Sequence, residues 1–176
     1  MKKYAIVVGH AQDSQGANSP YGIGSEWEYN SRVAKYLTDV ADVYYHDTYK
    51  NGYSSMINRT TSHINQHDYK LVLILHYNAH SPNANGTEVL HYYSNKKSLS
   101  WAINLSKKIS EAFQTRNRGN KPTRKTDRGG YELYKLKAPA LLIEPFFGSN
   151  EYDVSKFKGK EKEYANLIKG FLKNIS

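Results

Sequence analysis

A chain of 176 residues with 39% hydrophobic and 23% charged residues has the composition of one globular domain, which excludes a fibre, a disordered polymer or two ordinary domains. It has no cysteine, so disulfides, thiolate metal sites and cysteine nucleophiles are ruled out, and any metal must rest on His, Asp or Glu. The formal charge of +9 predicts attraction to polyanions, whether nucleic acid, teichoic acids, lipopolysaccharide or acidic membranes, without choosing among them.

The first residues carry Lys2 and Lys3, but the apolar run after them is too short for a signal-peptide core. No run approaches the roughly 20 apolar residues that span a bilayer, so no transmembrane segment is expected. The expectation is a protein made in the cytoplasm with no encoded route out. Ala5-Ile6-Val7-Val8, closed by Gly9, reads as a buried strand. Ser25 to Leu37 reads as a helix, 42–46 as a strand and 54–65 as a helix. Leu71-Val72-Leu73-Ile74-Leu75 is the clearest buried strand, and 87–93 is another. Leu99, Ala102, Ile103, Ile109 and Phe113 recur at helical spacing, which predicts a helix over 98–115. Leu141-Leu142-Ile143, preceded by Pro139, is a further apolar strand, and Tyr164, Ile168, Phe171 and Ile175 stripe a last helix. Apolar strands between helices predict a single α/β domain whose mainly parallel sheet is covered on both faces. The basic stretch from Lys121 to Lys125 reads as a solvated loop.

Three strong strands end in chemistry. The first ends in Gly9-His10, the central one in Leu75-His76, and the last in Ile143-Glu144. Open α/β sheets bind ligands outside the carboxyl ends of their strands. One histidine there is ordinarily a hydrogen-bonded rim residue, but three such endings together favour a metal or acid–base site. Two imidazoles need a third ligand to form an open catalytic zinc site. In the helix that begins near Ser25, Asn30, Val33 and Leu37 fall within about 40° of Glu26 at 100° per residue. Glu26 therefore faces the sheet, whereas Glu28 faces away and completes a Ser25-x-x-Glu28 capping box. A carboxylate turned into an apolar interface calls for a cation beside it. Glu144, preceded by an apolar run, is expected to be buried with a raised pKa, as suits a general base for a metal-activated water.

Together these residues resemble the zinc-dependent N-acetylmuramoyl-L-alanine amidases of the amidase-3 type, a group that includes many phage endolysins. The likeness covers nearly the whole chain. It is carried by Val8-Gly9-His10 with Asp13 and Gly16-Ala17, by Ser25-Glu26-Trp27-Glu28-Tyr29-Asn30, and by Leu75-His76-Tyr77-Asn78-Ala79 with Asn85-Gly86-Thr87-Glu88-Val89. The closing block is Leu133-Tyr134-Lys135-Leu136, Pro139-Ala140 and Glu144-Pro145-Phe146-Phe147-Gly148-Ser149-Asn150. The resemblance implies cleavage of the amide between the lactyl group of muramic acid and the first L-alanine of the stem peptide. It also implies a sheet of about six strands, one Zn2+ per chain on His10, Glu26 and His76, and Glu144 as the catalytic residue. Ala11 and Phe146 stand where the family often has glycine, and are expected to alter the shape of the cleft or its substrate preference.

Other residues are weighed more evenly. Asn78, in the motif after the central strand, and His80, in the loop beyond it, are candidate substrate contacts, although His80 equally suits a solvated loop. Arg128, before a Gly-Gly pair, is placed to steady a substrate carboxylate or an oxyanion, or is simply an exposed charge. His46, His63, His67 and His91 have no matching partners and read as surface or core histidines. Residues 1–176 thus read as one zinc amidase catalytic domain, with no recognisable cell-wall-binding domain, expected to be a monomer acting on peptidoglycan with electrostatic help from anionic envelope polymers. A phage lysis protein that reaches the wall after another factor opens the membrane fits this pattern, as does a wall-recycling enzyme or a fragment of a longer chain. The alternatives in activity are a zinc carboxypeptidase or other amidohydrolase, and a basic wall-binding module without catalysis. A nucleic-acid binder is not expected, because no such motif is present and the basic residues do not line one helix.

Overall fold

Apolar runs that can be buried on both faces belong in the middle of a parallel sheet, and the three strongest runs take that place. The computed structural model describes residues 2–175. Its elements are β1 (Tyr4–Ala11), α1 (Glu26–Lys35), β2 (Asp42–His46), α2 (Tyr53–Ile64), β3 (Leu71–Leu75), β4 (Thr87–Tyr92), α3 (Lys96–Phe113), β5 (Asn117–Thr123), α4 (Gly130–Lys135), β6 (Ala140–Glu144), α5 (Glu151–Phe157) and α6 (Glu161–Asn174). The strands form one sheet in the order β2-β1-β3-β6-β4-β5. All neighbours are parallel except β4 and β6, so the sheet is mixed but mostly parallel, as expected.

Alternation along the strands divides the core. Ile6, Val8, Leu73, Leu75, Leu141 and Ile143 face α1, α3 and α6 in the larger cluster, while Val7, Val72, Ile74 and Leu142 face Ile64 of α2 and Leu133 of α4. Both faces are therefore covered. Register places the site: Val8 pairs with Leu75, and Leu75 with Ile143. The residues just beyond those pairs, His10, His76 and Glu144, consequently emerge at one edge of the sheet.

The structure departs from the sequence expectation in several places. Lys121, Pro122 and Thr123 belong to β5 rather than to a solvated loop. Among the described residues this strand pairs only with β4, at the sheet's edge, so it needs no apolar run, and proline is tolerated there. The short helices α4 and α5 were not anticipated. Ala11 and Phe146 do not line the cleft described below. Ala11 packs against Met56 and Ile57, and Phe146 is fully buried among Tyr29, Tyr77 and Phe157, so both are core residues rather than modifiers of cleft shape.

Candidate active site

Where β1 should end, its pairing with β2 shifts register between Val8 and Ala11, and the intervening His10 takes a left-handed backbone with φ of 66°. That conformation costs a non-glycine residue about 1–3 kcal/mol and is found where surrounding structure enforces it, often at functional sites. The bulge re-aims His10 across the strand ends towards His76, whose ring lies edge-on with centroids 4.8 Å apart. Glu26 reaches the same point from the first turn of α1. The helix face works as the periodicity predicts: Glu26, Asn30 and Val33 are buried, and Ser25 and Glu28 form the capping box.

Glu26 Oε2 lies 3.1 Å from His10 Nε2 and 3.1 Å from His76 Nδ1. One donor atom from each of the three residues falls within 4.8 Å of the others. Ligand atoms about 2.0–2.1 Å from a tetrahedral ion are separated by roughly 3.3 Å, so little movement is needed to seat one. The other carboxylate oxygen, Oε1, accepts from the Ala17 amide at 3.0 Å, and the Tyr77 amide donates to Oε2 at 3.3 Å. Burial pushes the Glu26 carboxyl upward, but hydrogen bonds to His10 and His76 and their charge outweigh it and hold the group far below the usual carboxylate range. Burial lowers His76. Gly16, with φ of +75°, closes the cradle: a Cβ there would stand 2.5 Å from the His10 ring and 2.9 Å from Glu26 Oε1.

Glu144 stands across the same cleft, a cavity of about 520 Å³ also lined by Tyr53, Ala79, Thr126, Asp127, Arg128, Gly129 and Leu142. Its side chain is 4% exposed. Burial raises its pKa to about 8, with the negative charge of Glu26 adding to the effect and Arg128 opposing it. Arg128 Nη2 donates to Glu144 Oε1 at 2.8 Å, while Oε2 has no hydrogen-bond partner among the described residues.

Arg128 and Asn78 therefore join the cluster's surroundings, with Arg128 Nη1 donating to Asn78 Oδ1 at 3.0 Å. His80 does not: it is exposed in its loop, and its amide bonds to Ser149 Oγ. His46 is buried on Thr60 and beside Glu132, and is not part of the three-residue cluster. Tyr53 was missed by sequence reasoning, because one tyrosine among sixteen at a helix start carries no signal. The Asp13 carboxylate accepts from Thr48 Oγ1 and the Tyr49 amide in the loop before α2. A larger groove, about 1040 Å³, runs along α2 and β2, but among the described residues it holds no group of ligands able to share a metal.

An α/β sheet that gathers two imidazoles and a carboxylate at its strand ends, with a second buried carboxylate across the cleft, has the donor set of a metallohydrolase. The chain belongs to the N-acetylmuramoyl-L-alanine amidase family, whose model matches residues 5–174. A comparison with curated protein sequences found no match. Among solved structures, the catalytic domain of the CD27L endolysin targeting Clostridia difficile is 28% identical, with a TM-score of 0.83 over 99% of this chain and 98% of that one. Cwp6 from Clostridium difficile is also 28% identical, with a TM-score of 0.80 over 99% of this chain, which spans 29% of Cwp6. The catalytic domain of CwlV, an N-acetylmuramoyl-L-alanine amidase from Bacillus (Paenibacillus) polymyxa var. colistinus, shares the fold at 18% identity, with a TM-score of 0.77 and full coverage of both chains. Family and fold together support peptidoglycan amidase activity.

Proposed function

We propose that the protein is a zinc-dependent amidase that cuts between the lactyl group of N-acetylmuramic acid and the L-alanine of the stem peptide, with Glu144 as general base. The carrying observation is the convergence of His10, Glu26 and His76 in the cleft that also holds Glu144. Two imidazoles and one carboxylate are the donor set of an open catalytic zinc site, and the absence of cysteine leaves no competing thiolate chemistry. When bound, zinc would supply a Lewis acid that polarises the scissile carbonyl and makes water more acidic. The protein's own part is proton handling. Glu144 Oε2, without a hydrogen-bond partner among the described residues, takes a proton from the attacking water and delivers it to the leaving nitrogen. Arg128 holds the acid by its other oxygen and lines the cleft, and Asn78 anchors Arg128 from behind. The products are an intact stem peptide and a muramic acid with a free lactyl carboxylate, which a carboxypeptidase would not release.

A role in phage-driven lysis is part of this reading, supported by the near-complete overlap with an endolysin catalytic domain. Residues 1–176 act as a single catalytic domain, and the cell wall is the place of action. The test is digestion of isolated walls with metal content measured in parallel. Chelation abolishes release of the stem peptide and zinc restores it, while Glu144→Gln retains zinc and loses about 10²–10⁴-fold in rate, the range for losing a general base. Full activity in strong chelator, or in Glu144→Gln, would remove the mechanism.

A further inference from the structure

Glu88 and Glu144 sit directly opposite each other on the antiparallel pair β4 and β6. Like charges in that arrangement repel, so something must separate them. Between them runs a chain of hydrogen bonds. Arg118 Nε donates to Glu88 Oε2 at 2.6 Å, and Asn78 Nδ2 donates to Glu88 Oε1 at 2.9 Å. Asn78 Oδ1 then accepts from Arg128 Nη1, and Arg128 Nη2 donates to Glu144 Oε1. Arg118 is steadied from behind, 5.0 Å over the Phe147 ring.

The chain has a direction that chemistry dictates. An amide can present either its oxygen or its nitrogen, but only the nitrogen suits a carboxylate and only the oxygen suits a guanidinium. Glu88 thus decides which way Asn78 faces. Arg128 has a side chain that is 64% exposed and would sample many rotamers; its second anchor on Asn78 is what keeps the fork over Glu144.

We propose that Glu88, backed by Arg118, is a positioning residue for the reaction: it fixes the Asn78 amide, which anchors Arg128, which holds one oxygen of Glu144 and leaves the other for the proton. This rests on the reading of Glu144 as general base. Glu88 belongs to neither the three-residue cluster nor the cleft lining, so it acts through its neighbours. Glu88→Gln replaces an acceptor with a group that also donates, and the amide lock is lost while the side chain's shape remains.

The experiment is a double-mutant cycle on zinc-loaded enzyme with a soluble muramyl peptide, reading kcat and KM separately. Glu88→Gln and Arg128→Ala each lower kcat about tenfold, the scale of a small misplacement of a reacting group. KM for Glu88→Gln stays within about twofold, zinc content is unchanged, and the double variant is no slower than Arg128→Ala alone. Additive losses in the double variant, or wild-type kcat in Glu88→Gln, overturn the proposal. Should Glu88→Gln fail to fold, Arg118→Gln loosens the same carboxylate from its solvent side and must also lower kcat; unchanged kcat there overturns it equally. Glu144→Gln runs alongside: an active Glu144→Gln sinks the general-base reading, whereas an inactive one with an additive cycle sinks only the positioning role of Glu88.

Discussion

Glu144 shows how burial sets a carboxyl group against stability. Burial first, and the charge of Glu26 second, raise its pKa to about 8 in the folded protein. An unfolded chain would let it ionise near 4.3. The folded state therefore binds the proton more tightly. Stability from this group is fully present below about pH 4 and is lost as pH rises through 8. Glu144→Gln mimics the protonated acid at every pH and still accepts from Arg128. In chelated protein its melting temperature should match wild type near pH 4 and exceed it at pH 8, by roughly 2–4 °C for each kcal/mol relieved. A Glu144→Gln protein less stable than wild type at pH 8 would mean that the carboxylate is stabilised rather than strained. Gly16 makes a parallel case: Gly16→Ala forces a Cβ against His10 and Glu26 in a backbone region that disfavours side chains. It should weaken metal binding tenfold or more, measured by competition with a chromophoric chelator, while the far side of the sheet stays intact.

At the scale of elements, what could be read from the sequence was whatever burial imposes on both sides. β1, β3 and β6 each carry an unbroken apolar run because helices cover both of their faces, and the ends of those runs also marked where His10, His76 and Glu144 would emerge. α1 was legible to the single residue, since its periodicity separates Glu26 from Glu28. Glu26→Ala should reduce zinc affinity far more than Glu28→Ala. The latter loses half of a capping box, costing about 0.5–2 kcal/mol in thermal unfolding with zinc content unchanged. A reversed ranking in metal titration would contradict the face assignment. What stayed hidden has physical reasons too. β5, an edge strand of Asn, Arg, Gly, Lys and Pro, is held by pairing to β4 alone and guarded by charge and proline, so it shows no alternation. α4 and α5 have only 6 and 7 residues, too few for a periodic stripe. Arg128 lies in the turn between β5 and α4, two elements with no signal, which is why its position over Glu144 could not be separated from that of an ordinary exposed charge. The bulge at His10 was equally invisible, because a register shift depends on the partner strand.

For the whole molecule, the excess of positive charge remains once the ion pairs are set aside. Arg32, Arg59, Arg118, Arg128 and Lys169 each meet a carboxylate, and such exposed or partly exposed pairs contribute little net field. Arg124 and Lys125 instead lie over Tyr93 and Tyr134 and are part of the formal charge of +9. Charge of this kind raises the rate of encounter with a polyanion and is screened over about 10 Å at 0.1 M salt. Inside the cleft the contacts are about 3 Å long and end on the buried carboxylates of Glu26 and Glu144, where salt screens less. The two contributions should therefore come apart in solution. Raising sodium chloride from about 0.05 to 0.5 M should slow lysis of intact walls several-fold, while hydrolysis of a soluble, uncharged muramyl peptide changes by less than about twofold. Walls stripped of their anionic polymers should lose most of that salt sensitivity. Equal losses on walls and on the soluble substrate would instead put the salt effect inside the cleft, and the surface charge would then have no part in bringing the enzyme to its substrate.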